Sequence, residues 1–336
     1  GRIPLRWFRH NPMVLAQSVR ESVLTYAAVY LVLVWMDVRP AVAEALAIVA
    51  IVASPAVLSR VIMDTRASGP VTERAIVLST LGTLYALTWG SAKAGLLNRP
   101  ESALSDAFYP VIVVLGLSIV VGAVLALALR TALRVMSPTS ENTSMMVLAL
   151  IAAGTTLAAH FGGSAPLAAL LGGMLLKQLN PRPWTWPRQL GTAASILTTL
   201  MFVLVSVVAA QADWSKPVAG LVLAVIGVRA LAKITGVALA NPGSGASWRQ
   251  ALWVGCAMAP MSSVALLLVS QFVVSSPANG PLIARIALPA ILLMEVLGAI
   301  IATVAVYRSG ESIKPWLGSP SQPEPRERAG ESSNGT

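Results

Sequence analysis

Three ionisable side chains lie deep inside otherwise apolar stretches of this chain: Arg229 and Lys233, four residues apart, and Glu295. Four-residue spacing puts the two cations on one face of a helix. A charge at mid-span costs at least about 2.5–3.5 kcal/mol on insertion scales, so these exceptions are the places to look for function. Two proline-centred runs, Ile51-Val52-Ala53-Ser54-Pro55-Ala56-Val57 and Ala257-Met258-Ala259-Pro260-Met261-Ser262-Ser263, lie at comparable depth in their own apolar stretches. Each proline removes a backbone donor and leaves carbonyls without helical partners. Other chemistry is poorly supplied. Cys256 is the single cysteine, and the two histidines, His10 and His160, are far apart. No HExxH, glycine-rich phosphate loop or G-x-S-x-G elbow is present, so the reading is not an enzyme, and neither a cofactor nor a metal is expected.

The elements that hold these residues follow from composition. Of 336 residues 56% are hydrophobic and 11% charged, against roughly 25% charged in an ordinary soluble domain. At about 20 apolar residues per span, the pattern predicts an all-α polytopic membrane protein of about ten transmembrane helices. These fall near 22–36, 41–63, 72–94, 109–131, 144–160, 164–177, 190–211, 217–240, 250–274 and 282–306. Residues 1–21 read as a basic cytoplasmic linker, and 308–336, rich in Pro, Ser, Gly and Glu, as a disordered cytoplasmic tail.

The net charge of +10 is accounted for by topology. With residue 1 inside, 17 of the 24 Lys and Arg residues fall in inner segments, as the positive-inside rule requires. This predicts a multi-pass protein of the plasma (inner) membrane with both termini cytoplasmic, a lipid bilayer as its surroundings, and no nucleic-acid partner. Trp35, Trp184, Trp186, Trp214 and Trp248 fall at predicted helix ends, as an aromatic belt does.

Spans one to three (22–94, with the broken helix 41–63) and spans eight to ten (217–307, with the broken helix 250–274) run in opposite senses, and the middle helix of each triplet carries the proline. Inverted triplets with broken middle helices are a transporter design in which the two breaks meet at the midplane and form an ion or substrate site. The helices between them, 95–216, show no mid-span charge. Their small residues at 116–123 and 168–173 suit close packing, and the expectation is a scaffold and a homodimer panel.

Several segments resemble the monovalent cation:proton antiporters of the bacterial antiporter-2 type. Ala53-Ser54-Pro55-Ala56-Val57-Leu58-Ser59-Arg60-Val61, followed by Ser68-Gly69-Pro70, is similar to "TSPAVV.RVL…GP". Arg229-Ala230-Leu231-Ala232-Lys233-Ile234-Thr235-Gly236 is similar to "R.LGK..G", and Met294-Glu295-Val296-Leu297-Gly298 to "TELLGP". Residues 166–176 and 201–214 add weaker similarity to "LGAFLAGLLL" and "FFVLVG…LDL". The resemblance implies alternating-access exchange of Na⁺ or K⁺ for protons, and a natural start two or three helices upstream of Gly1.

The same resemblance exposes a departure. The family holds its ion on Asn-Asp, Gln-Asp or Asp-Asp in the helix after the first break; setting Val77–Leu87 against "ALAALNDVLAL" puts Gly82 at the Asn and Thr83 at the Asp. A threonine hydroxyl is a ligand but does not release a proton near neutral pH. The pathway residues expected are therefore Ser54, Pro55, Gly82, Thr83, Arg229, Lys233, Pro260, Ser262 and Glu295. Two roles for Glu295 and the cations stand open: a structural ion pair between Glu295 and Arg229 or Lys233, or a Lys233 left without a partner in a site that favours an anion or a proton-linked lysine. The competing reading of the chain is a non-transporting sensor or scaffold that kept the fold and lost the ion site.

Overall fold

The computed structural model describes residues 12–96, 104–136, 140–179, 215–241, 246–261 and 263–313, with scattered positions between 191 and 207. The described helices are α1 (Pro12–Trp35), α2 (Pro40–Ile51), α3 (Pro55–Thr65), α4 (Pro70–Leu96), α5 (Leu104–Val135), α6 (Glu141–His160), α7 (Ala165–Leu179), α8 (Lys216–Leu239), α9 (Trp248–Ala257), α10 (Ser263–Ser275) and α11 (Gly280–Arg308). The seventh expected span, 190–211, falls largely outside the described residues. Among the described residues, seven spans are long and apolar enough to cross a membrane, α2 and α3 together forming one of them, and α7 and α10 are shorter apolar helices.

Both proline-centred runs break their helices. The first gap, Val52 to Ser54, ends at Pro55, the first residue of α3, where proline's missing donor costs nothing. Ser54 caps α3: its Oγ accepts from the Val57 amide at 3.2 Å and its carbonyl from the Leu58 amide at 3.1 Å. The second gap opens after Ala257, and Pro260 lies within it.

The two triplets are antiparallel. Along α1 and α8 the contacts run in opposite directions: Gln17 Nε2 donates to the Val237 carbonyl at 3.0 Å, and Lys233 meets Glu21 one turn further along. Gly236 permits this approach, because a Cβ there would lie 2.8 Å from the Glu21 Cα. At one end of the bundle Lys93 of α4 pairs with Glu44 of α2 at 3.0 Å. At the other, the segment after α11 folds back onto the α3–α4 turn, where the Glu311 carboxylate accepts from the amides of Val71 (2.6 Å) and Thr72 (2.9 Å) at the start of α4. A carboxylate suits the unsatisfied donors and positive dipole end of a helix.

Around an apolar core, many large apolar side chains are exposed while a set of polar and charged ones is buried. Val23, Ile112, Val120, Val124, Leu223, Leu231 and Ile300 are exposed, whereas Gln17, Ser18, Glu21, Thr25, Ser54, Thr83, Arg229 and Lys233 are buried. In the middle helices α5 crosses α7 at small residues: a Cβ on Gly122 would come within 2.9 Å of the Ala168 carbonyl. Ser91 of α4 donates to Ser164, just before α7, at 2.9 Å, tying the first triplet to these helices.

One contact sets the spacing at the second break. A Cβ on Gly298 of α11 would sit 2.6 Å from the Pro260 Cα, against backbone that has no side-chain freedom to yield. Overpacking of this kind costs about 1–3 kcal/mol, so Gly298→Ala is expected to lower the thermal unfolding midpoint in detergent by several degrees. Gly227→Ala on α8, where a Cβ meets nothing within 4 Å, is expected to leave it unchanged or raise it. Equal midpoints for the two variants would contradict this packing.

Candidate ion site at the crossing of the two broken helices

The two breaks touch. The Ser54 amide donates to the Pro260 carbonyl at 3.0 Å, so the interruptions of α2–α3 and α9–α10 meet in the core. Each half-helix that stops there leaves carbonyls that its own helix cannot satisfy. Arg229 supplies the donors: Nε to the Ala50 carbonyl (3.0 Å), Nη2 to Val52 (2.8 Å) and Nη1 to Ala259 (2.7 Å), with Met258 3.5 Å from Nη2. One planar guanidinium thus bonds to the carbonyl ends of both α2 and α9. A lysine, with a compact ammonium in place of a five-donor fork, does not span both.

Lys233, one turn along α8, meets the next carbonyl. Its Nζ donates to Ile51 at 3.0 Å and to Glu21 Oε1 of α1 at 2.6 Å. Glu21 also accepts from Thr25 Oγ1 at 3.1 Å and, through Oε2, from Ser22 Oγ at 3.4 Å. Arg229, Lys233 and Glu21 are each 0% exposed. An ion pair this deep persists only where hydrogen bonds compensate the lost hydration, and here both partners have them.

Thr83 of α4 is buried beside the first break. Its Oγ1 lies 2.7 Å from the Ser79 carbonyl and 3.0 Å from the Ala53 carbonyl, to which it donates. Gly82 adjoins the same region: a Cβ there would be in ordinary contact with the Ile51 carbonyl (3.5 Å) and Ser22 Oγ (3.6 Å). The crossing therefore gathers Ser54, Gly82, Thr83, Arg229, Lys233 and Pro260, with Pro55 at the start of α3. Ser262 lies outside the described residues.

Two expectations need correction. Glu295 does not pair with Arg229 or Lys233, nor is Lys233 left alone. Depth along α11 is right, but the face is wrong. Met294 is buried and its sulfur lies 3.7 Å from Arg229 Nη1; Glu295, about 100° further round the helix, is half-buried and makes no hydrogen bond or ion pair among the described residues. The partner of Lys233 is instead Glu21, which the sequence reading left at the end of a linker. α1 begins at Pro12 rather than near 22. The signal was present, since Gln17, Ser18, Glu21, Ser22 and Thr25 form a polar stripe at helical spacing, and all five are buried.

The clamp is testable by stability. A buried carbonyl left without a donor costs about 1–3 kcal/mol, so Arg229→Lys, which keeps the charge and loses the fork, is expected to melt at markedly lower temperature and to lose monodispersity on size exclusion. Leu231→Ala, on the exposed face of the same helix, is the comparison and is expected to change little.

Residues 2–308 match the family described as sodium/hydrogen exchanger, transmembrane. By sequence, no curated protein matches the chain. In fold it is similar to the sodium proton antiporter MjNhaP1 from Methanocaldococcus jannaschii, with TM-score 0.65 and 17% identity over 91% of this chain and 81% of that one. Inverted triplets, crossed breaks and the family match agree: the chain belongs to the sodium/hydrogen exchanger transmembrane family and is a secondary transporter of the cation:proton antiporter class, not an enzyme.

Proposed function

We propose that this chain exchanges a monovalent cation, Na⁺ or K⁺, for protons at the crossing of its two breaks, by alternating access. The observation that carries this is the Ser54–Pro260 contact together with the three buried charges around it. Such a junction brings helix-end carbonyls, hydroxyls and ionisable groups to one point, where a dehydrated cation finds oxygen ligands. The moving unit is the pair of triplets, α1–α4 and α8–α11. The remaining helices, including α5 to α7, form the scaffold, and their small-residue faces support a homodimer panel. The bias of basic residues supports a plasma (inner) membrane location with both termini cytoplasmic.

The measurement is made in proteoliposomes carrying a pH-sensitive dye and an imposed proton gradient. Adding Na⁺, K⁺ or Li⁺ to the wild type is expected to dissipate the gradient in a cation-dependent way. No dissipation with any of the three, combined with dissipation by Thr83→Asp, would assign the chain to the non-transporting relatives that lost exchange with their acid.

A further inference from the structure

Any exchanger at this crossing needs an acidic group there, and Thr83 and Gly82 occupy the positions where the related pattern has one. Among the described residues, the carboxylate at the crossing comes from a different helix. Glu21 lies on α1, not on α4, and it reaches the same carbonyl cluster by way of Lys233. Around its two oxygens stand Thr25 Oγ1, Ser22 Oγ and, across Lys233, the Ile51 carbonyl. These are neutral oxygen ligands of the kind that replace the hydration shell of a small monovalent cation. Gly82 contributes no side chain to the space between Ser22 and Ile51.

We propose that Glu21 is the ion-coupling carboxylate of this chain, with Lys233 as the counter-charge that an incoming cation displaces. This rests on the exchange reading above and locates its chemistry. The three fully buried charges sum to one positive: Arg229 and Lys233 against Glu21. Adding a monovalent cation would double that excess in a site without solvent, and Arg229 does not give up its proton. Lys233 does the compensating. The cation takes the place of the ammonium at the Glu21 carboxylate, the N–H bond of Lys233 breaks, its electron pair stays on nitrogen as the neutral amine, and the proton leaves to water. Charge is conserved at one cation bound for one proton released. The return step reverses it. The other titratable groups on the elements packed against α1 are the Glu44–Lys93 pair, which is engaged at the far end of α2 and α4, Tyr85, which is engaged with Ser18 at 2.9 Å, Glu73 and Arg74 near the start of α4, and Lys216 at the start of α8.

The test measures binding rather than flux, so that it stands apart from the liposome experiment. The purified full chain in detergent, weakly buffered with a pH-sensitive dye, receives NaCl, KCl or LiCl, with choline chloride as the ionic-strength control. At least one alkali cation is expected to release about one proton per chain, since binding at a protonated site expels the proton. The double variant Glu21→Gln/Lys233→Met removes both charges of the pair together, so that neither is left without the other; its release is expected to fall at least tenfold. Two milder variants guard against misfolding of that one. Glu21→Asp is expected to keep the release but shift the half-saturating cation concentration several-fold, and Ser22→Ala to raise it several-fold. The assignment is overturned if the wild type releases no proton with any of the three salts, or if the double variant stays within twofold of wild type. It is also overturned if Glu21→Asp and Ser22→Ala both leave the half-saturating concentration unchanged. Flux in vesicles without proton release in detergent would remove Glu21 from the mechanism and leave exchange standing, whereas release without flux would do the reverse.

Discussion

Two helices stopped in the middle of an apolar bundle leave carbonyl groups with no water to turn to, and everything around the crossing depends on how those carbonyls are satisfied. Arg229 donates to four of them, two on the α2 side and two on the α9 side. Burying a guanidinium is costly unless its donors are used, and here the cost and the need cancel, since the same contacts that satisfy the arginine satisfy the breaks. Its counter-charge is largely the peptide backbone. A helix C-terminus carries about half a negative charge, and Arg229 is shared between two of them.

Lys233 differs in kind although it stands only one turn away. It makes one carbonyl contact and one ion pair, so it is held by a side chain on another helix rather than by both breaks. That makes it the more replaceable of the two cations. Arg229 bridges the interruptions and cannot leave without unmaking them; Lys233 bridges α8 to α1 and has a partner whose oxygens another cation could use. In the proposed exchange, the division of labour follows from donor geometry, a rigid fork for architecture and a single ammonium for the displaceable charge.

Much of this was legible in the residues. Pro55 and Pro260 marked the breaks, because an interior proline in a membrane helix must be accommodated by something. Arg229 and Lys233 marked the cationic face by their spacing. The azimuth of Glu295 was not legible: its depth could be counted along the chain, but whether it or Met294 turned towards Arg229 depended on how α11 docks at Gly298. Glu21 was missed for a different reason. Arg20 and Glu21 together look like the charged flank of a helix, and only the arrangement with α8 shows one facing out and the other in. A search for polar residues at helical spacing, rather than for apolar ones, would have extended α1 back past them.

The residue at position 83 explains why the acid and the break were separable. The Ala53 carbonyl belongs to the first break and needs a donor; the Thr83 hydroxyl, whose one proton it shares with the Ser79 carbonyl at 2.7 Å, lies 3.0 Å away. An ionised aspartate in that place has only acceptors, so it would face the carbonyl with like partial charge unless a cation or proton lay between them. Threonine removes that dependence and lets the α4 side of the crossing close on its own. The carboxylate can then stand on the opposite side, on α1, where the Thr25 and Ser22 hydroxyls and the Lys233 ammonium supply the donors it requires. The substitution that looks like the loss of a site in α4 is, in three dimensions, compatible with a site whose negative charge enters from another helix.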